Sequence, residues 1–133
     1  MIVIDASSIA KYLLREDNWE VVRKYLANEP YSLTLALVEV SNAIWKHHVL
    51  YEEVSLEDAK KIFKALKKLE DVVVLEPFEK YLNDAVEISI DEKITVYDAL
   101  YVSQAKKFGS LVTSDEKQKD VAGKLGINVE FVE

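Results

Sequence analysis

The sequence has no cysteine, and that single absence removes disulfide frameworks, thiolate zinc sites and cysteine nucleophiles together. Histidine is nearly as scarce. The two that occur, His47 and His48, are adjacent in one stretch, which argues against a histidine-rich metal centre. A metal would therefore be held by oxygen, which favours Mg²⁺ or Mn²⁺ over zinc. Only three glycines and two prolines are present in 133 residues. Gly109, Gly123 and Gly126 match neither GxGxxG nor a Walker loop, so the nucleotide-cofactor readings of an α/β chain fall away. No GxSxG elbow activates a serine. So few breakers leave little room for linkers, and one domain over residues 1–133 is expected. No apolar run approaches the roughly 18–20 residues needed to cross a bilayer. The amino terminus also lacks the basic start and longer apolar stretch of a secretory signal. The expectation is a cytoplasmic protein with no membrane partner.

Acid is what the sequence has in excess: 24 Asp and Glu against 17 Lys and Arg, a formal charge of −7. That balance argues against broad electrostatic binding of nucleic acid. It leaves open an enzyme that reaches phosphate through bound cations. Frequent Lys and Glu with one Met and no Cys also follow the composition of proteins from hot environments.

Half the residues are hydrophobic, ample for a core, and their spacing alternates between two periods. Short apolar runs at 2–4, 31–34, 72–75, 110–113 and 127–131 predict buried parallel strands. Helical spacing predicts helices near 7–14, 19–28, 36–50, 55–69, 78–90, 96–108 and 115–124. Ser7 and Ser8 are the expected caps of the first. Ser55-Leu56-Glu57-Asp58 is an acidic variant of the capping box, followed by an apolar stripe of Leu56, Ala59, Ile62, Phe63, Leu66 and Leu69. Gly109 stops the 96–108 helix. Strands alternating with helices imply a three-layer α/β/α domain around a central parallel sheet of four to five strands.

Ligands of such sheets bind beyond the carboxyl ends of the strands. Asp5 directly follows the first strand, and Asp115 follows Leu111-Val112-Thr113. Asp98 falls in the first turn of its helix, where the dipole favours an anion. Glu39 sits early in the 36–50 helix within an apolar stretch, with Asn42 and Lys46 on its face. An acid among such neighbours is usually paired or functional. Ser7 and Thr113 are the nearby hydroxyls, and Lys46 is a candidate phosphate contact. Local roles are also open to these residues: Asp115 as a helix cap with Gln118 completing a capping box, Asp5 as a turn residue, Asp98 as a dipole-favoured acid. The lysine face of the 55–69 helix reads as a solvated face. Trp19, Trp45 and most of the seven tyrosines read as core or interface.

Four local contexts resemble the PIN-domain family. Met-Ile-Val-Ile-Asp-Ala-Ser-Ser at the start is similar to its strand-borne first acid, Asp5. Leu35 to Ala43, reading LALVEVSNA, is similar to its second motif and puts the glutamate at Glu39. Thr95 to Ala105, reading TVYDALYVSQA, resembles the third with Asp98, and Leu111-Val112-Thr113-Ser114-Asp115 the fourth with Asp115. Size and third-motif wording look most like the VapC toxins of toxin–antitoxin pairs. The resemblance implies Mg²⁺- or Mn²⁺-dependent RNA cleavage at Asp5, Glu39, Asp98 and Asp115, a small antitoxin partner and a homodimer. A dehalogenase-type phosphatase wants a second Asp where Ser7 stands, and a receiver domain wants a phosphoacceptor Asp where Glu76-Pro77 follows the strand. The non-enzymatic alternative is a metal-stabilised PIN module that binds RNA or protein without cutting.

Overall fold

The computed structural model describes all 133 residues. Five strands form: β1 (Val3–Ile4), β2 (Tyr31–Leu33), β3 (Val74–Glu76), β4 (Ser110–Thr113) and β5 (Asn128–Phe131). They make one sheet in the order β3-β2-β1-β4-β5, and every neighbouring pair is parallel. Parallel neighbours require crossovers, and the helices supply them. α1 (Ala6–Leu13) and α2 (Trp19–Leu26) link β1 to β2. α3 (Leu35–Trp45) and α4 (Leu56–Lys68) link β2 to β3. α5 (Leu82–Glu92) and α6 (Val96–Phe108) return the chain to β4, and α7 (Glu116–Lys124) leads to β5. One layer is built by α1 packed on α2 and α3, with α3 on α4; the other by α6 packed on α5, α7 and strands β1, β2 and β4. The expected three-layer α/β/α arrangement is present with five strands. No helix is long and apolar enough to cross a membrane.

β1 is only two residues long, yet Val3 and Ile4 are wholly buried because strands flank them on both sides and helices cover both faces. Leu111 and Val112 of β4 are equally buried beside them. Strand order reverses between β1 and β4: the chain steps outward from β1 through β2 to β3, then returns to β4. The crevice beyond the carboxyl ends of β1 and β4 is thus the switch point where such sheets offer a site.

Several local expectations need correction. Asp5, not Ser7 or Ser8, caps α1: its backbone is extended and its Oδ1 accepts from the Ser8 amide at 3.1 Å. The 72–75 run is no buried central strand. β3 begins at Val74, lies at the sheet edge and leaves Val72 and Val74 exposed. The 36–50 helix is α-helical only to Trp45, and Lys46–Leu50 closes as a π turn. A 3₁₀ turn, Phe78–Tyr81, precedes α5. In α4, Ser55 accepts from the Asp58 amide as expected, but Leu56 and Phe63 stay exposed while Ala59, Leu66 and Leu69 are buried. The stripe is wider than the surface the core offers. Gly109 does end α6, at φ +91°, a left-handed position suited to glycine.

Candidate active site

A cavity of about 210 Å³ opens at the switch point, and Glu39, Asp98 and Asp115 all line it. Asp115 arrives as the N-cap of α7, its Oδ1 accepting from the Gln118 amide at 2.9 Å. Asp98 arrives in the first turn of α6, its own amide capped by the Thr95 hydroxyl. Glu39 comes from α3 in the opposite helical layer. Asp5 is fully buried and does not itself line the cavity, although Ser7 does.

Asp5 is held by neutral donors. Thr113 Oγ1 donates to its Oδ2 at 2.7 Å, Ser7 Oγ lies 2.8 and 2.9 Å from its two oxygens, and the Ser8 amide donates as well. These hydroxyls also bind the segment that carries Asp115. Thr113 Oγ1 accepts from the Asp115 amide at 3.0 Å, and Ser7 Oγ from the Ser114 amide at 3.0 Å. Ser7 and Thr113 therefore fasten the end of β1 to the end of β4. Asn42 and Lys46 stand apart from the acid cavity and line an adjoining hollow with Glu39.

Two further residues, Tyr101 within the third motif and Gln118 just past the fourth, orient the acids. Tyr101, almost wholly buried on α6, donates its hydroxyl to Glu39 Oε1 at 2.7 Å and so ties one helical layer to the other. Gln118 Nε2 donates to Asp98 Oδ1 at 3.1 Å, leaving the amide oxygen buried without a partner. The Gln118 side chain thus serves Asp98, while its backbone serves the cap. Tyr101 was open to detection, since it lies three residues after Asp98 and so shares that helical face.

The electrostatics are those of crowded like charges in a poorly hydrated pocket. Burial pushes the Asp5 carboxyl up to about 6; hydrogen bonds from Thr113, Ser7 and Ser8 resist the rise, and the charge of Asp115 adds to it. Glu39 is raised first by burial and then by Asp98 and Asp115, with Tyr101 opposing. Asp98 is raised by burial and by Asp115, with Gln118, Thr95 and Lys117 opposing. Asp115 therefore acts on each of the other three acids. No cationic side chain lines the cavity.

The donors are all hard oxygens, the chemistry of Mg²⁺ or Mn²⁺ sites. No group of three acids converges as a ready cage. An ion that keeps several of its waters takes only one or two carboxylates directly. Concentrated carboxylates with raised proton affinity also gain most from a counter-cation.

The chain is similar to known proteins. A family model described as PIN domain matches residues 2–124. The chain is 34% identical over 125 residues to Ribonuclease VapC3 of Pyrobaculum aerophilum, covering 88% of this chain and 90% of the relative. It is 26% identical over 131 residues to Exonuclease VapC9 of the same organism, covering 96% and 90%. Among solved structures it is similar to PAE2754 from Pyrobaculum aerophilum, with TM-score 0.67, 26% identity and coverage of 90% and 83%. It also shares its fold with FitAcB from Neisseria gonorrhoeae, with TM-score 0.63, 17% identity and coverage of 99% and 97%.

Proposed function

This chain belongs to the PIN-domain family, and from that premise we propose that it is a Mg²⁺- or Mn²⁺-dependent endoribonuclease of the VapC type, with Asp5, Glu39, Asp98 and Asp115 as its metal-binding and catalytic acids. One observation carries the reading. Three carboxylates from three helical segments line one cavity that no cation lines, and the fourth, Asp5, is buried and hydrogen-bonded to Ser7 of the cavity wall. Relatives named as a ribonuclease and an exonuclease support a nuclease.

When bound, a divalent ion supplies charge neutralisation at the phosphodiester and a more acidic water for attack on phosphorus. The chain's own residues hold the acids in place for it. Asp5 is immobilised by Ser7 and Thr113. Tyr101 fixes Glu39, and Gln118 fixes Asp98. No group of the protein forms a covalent intermediate in this scheme: water attacks phosphorus, the bond from phosphorus to the ribose 3′ oxygen breaks and that oxygen takes up a proton, so hydrolysis leaves 5′-phosphate and 3′-hydroxyl ends. The VapC-type reading brings two partner proposals, a small antitoxin protein and a second copy of this chain. A surface of net charge −7 suits a basic partner segment.

The test is cleavage of structured RNAs by purified protein freed of any copurifying partner, with Mn²⁺ or Mg²⁺ and with chelator, beside Asp5→Asn and Asp98→Asn. Cutting that requires both metal and the two acids is expected. A circular RNA, which has no ends, should also be cut if the enzyme is an endonuclease. Mn²⁺ binding without cleavage of any RNA would overturn the enzymatic reading in favour of a non-catalytic binding module. Products ending in 2′,3′-cyclic phosphate would overturn the mechanism.

A further inference from the structure

A second hollow of about 430 Å³ adjoins the acid cavity, and the two share Glu39 and Ala43 in their walls. Leu35, Val38, Asn42 and Lys46 line it from α3 and the π turn after it, and Tyr97 lines it from the first turn of α6. Tyr97 directly precedes Asp98 in the chain, so its position is tied to that of the acid. Tyr97 is 60% exposed and Val38 68% exposed, so the rim of the hollow presents an aromatic and an aliphatic side chain to solvent. Lys46 is the only cation lining either hollow, and it makes no ion pair.

We propose that this hollow is a nucleobase subsite, in which Tyr97 stacks the base next to the scissile phosphate of single-stranded RNA. Resting on the nuclease reading above, it names how that enzyme grips its substrate. The grouping suits a nucleotide in each part. An exposed aromatic face accepts any base by stacking. The Asn42 amide carries both a donor and acceptor for a base edge. Lys46 supplies an unpaired positive charge for a flanking phosphate, in a neighbourhood otherwise short of cations. Continuity through Glu39 puts the base beside the acids that act on its phosphate. The favoured substrate is thus single-stranded, because a base held in a duplex has no free face to offer.

The experiment is fluorescence anisotropy with a short single-stranded RNA and the same RNA carrying one abasic nucleotide, scanned along the strand. Wild type, Tyr97→Ala and Tyr97→Phe are compared, each also assayed for Mn²⁺-dependent cleavage and for molar mass in solution. Tyr97→Ala should weaken binding of intact RNA about 5- to 100-fold, as loss of one stacked base does. Tyr97→Phe, which keeps the ring, should stay within about twofold. Wild type should lose affinity for one abasic position that Tyr97→Ala no longer discriminates. If wild type cuts RNA and Tyr97→Ala binds and cuts it equally well, the subsite is overturned while the nuclease reading stands. If Tyr97→Ala alters the molar mass and leaves RNA affinity unchanged, this face is a protein contact and the proposal fails. If wild type neither binds nor cuts RNA, both readings fall.

Discussion

Two carboxylates at the ends of strands in the same sheet, with β2 between those strands, meet opposite fates. Glu76 closes β3 at the edge, and Asp5 follows β1 at the centre. Around Glu76 the fold gathers Lys80 Nζ at 2.8 Å, Tyr81 Oη at 2.6 Å, Gln104 Nε2 at 3.0 Å and, farther out, Lys107 at 4.0 Å. Burial alone would raise its pKa, but hydrogen bonds from Lys80, Tyr81 and Gln104 outweigh it and hold Glu76 at about 2. Around Asp5 there are only hydroxyls, an amide and other acids, and burial wins, at about 6. Position at a strand's carboxyl end therefore does not make a site. What separates the two is whether the fold supplies a compensating cation. At Glu76 it does, and the carboxylate is structural. At Asp5 and its neighbours the compensation is left to something from outside.

The largest effect expected to sharpen this contrast is on catalysis. Asp98→Asn should lower metal-dependent RNA cleavage by about 1,000-fold or more, the scale of losing a principal electrostatic element. Glu76→Gln should leave cleavage within a few-fold, measured at a temperature where both proteins stay folded. Equal losses in the two would erase the distinction.

Next is the pH dependence of stability in metal-free protein with chelator present. The folded-state pKa of Asp5, about 6, stands above its ordinary value of 3.8, so the folded chain binds the proton more tightly than the unfolded chain. Its contribution is most favourable below the ordinary value and is lost as pH rises through about 6. The difference is on the order of 3 kcal/mol, from roughly two pKa units. Glu39 and Asp98, both raised, act in the same direction. The melting temperature should thus climb as pH falls from 7 to about 5, and Asp5→Asn should flatten much of that slope. Glu76 has the reverse sign: its stabilisation is present above the ordinary value of 4.5 and is lost as pH falls through about 2. A wild-type melting temperature that drops steadily from pH 7 to 5 would contradict the assignment of Asp5.

A smaller effect is expected from Glu76→Gln on folding. Lys80 and Tyr81 lose a charged acceptor, and a loss of about 2 kcal/mol should appear in denaturant titration. Smallest is Tyr101→Phe. It removes one hydrogen bond to a half-buried Glu39 that water can partly replace, at about 1 kcal/mol. Because that bond lowers the Glu39 pKa, its loss should move the acid limb of the activity–pH profile upward. An unmoved limb would mean that Tyr101 serves packing alone.

Much of this was legible because the strands announce themselves. Val3-Ile4 and Leu111-Val112 read as buried strand and are, although Ile2 stays outside β1 and is only half-buried. The order of strands and acids along the chain then puts Asp5 and Asp115 at one sheet edge. Local sequence carried less wherever a neighbour from elsewhere decided the outcome. Val72-Val73-Val74-Leu75 has the wording of a central strand, but its place at the edge is set by strand order. Ser7 looked like a cap, yet its hydroxyl is engaged with Asp5 and the Ser114 amide, more than 100 residues away along the chain. Spacing puts Tyr101 on the helical face of Asp98, but that its hydroxyl reaches Glu39 and that Gln118 reaches Asp98 depend on α3 meeting α6 and α6 meeting α7. Nor did pattern distinguish the exposed Tyr97 from the buried Tyr101, four residues apart in one helix.

The strand order has a consequence for the chain during its own synthesis. Asp5 leaves the ribosome first, but β4, which lies against β1 in the sheet, and Asp115, which follows β4, leave more than 100 residues later. Until then Asp5 lacks Thr113, and the cavity lacks one of its walls. A nascent or truncated product therefore carries some of the acids without the geometry that unites them. On the reading proposed above, an enzyme able to cut RNA would stay harmless to the message and ribosome that are making it, and would become competent only once Thr113 and Asp115 have emerged and β4 has closed against β1.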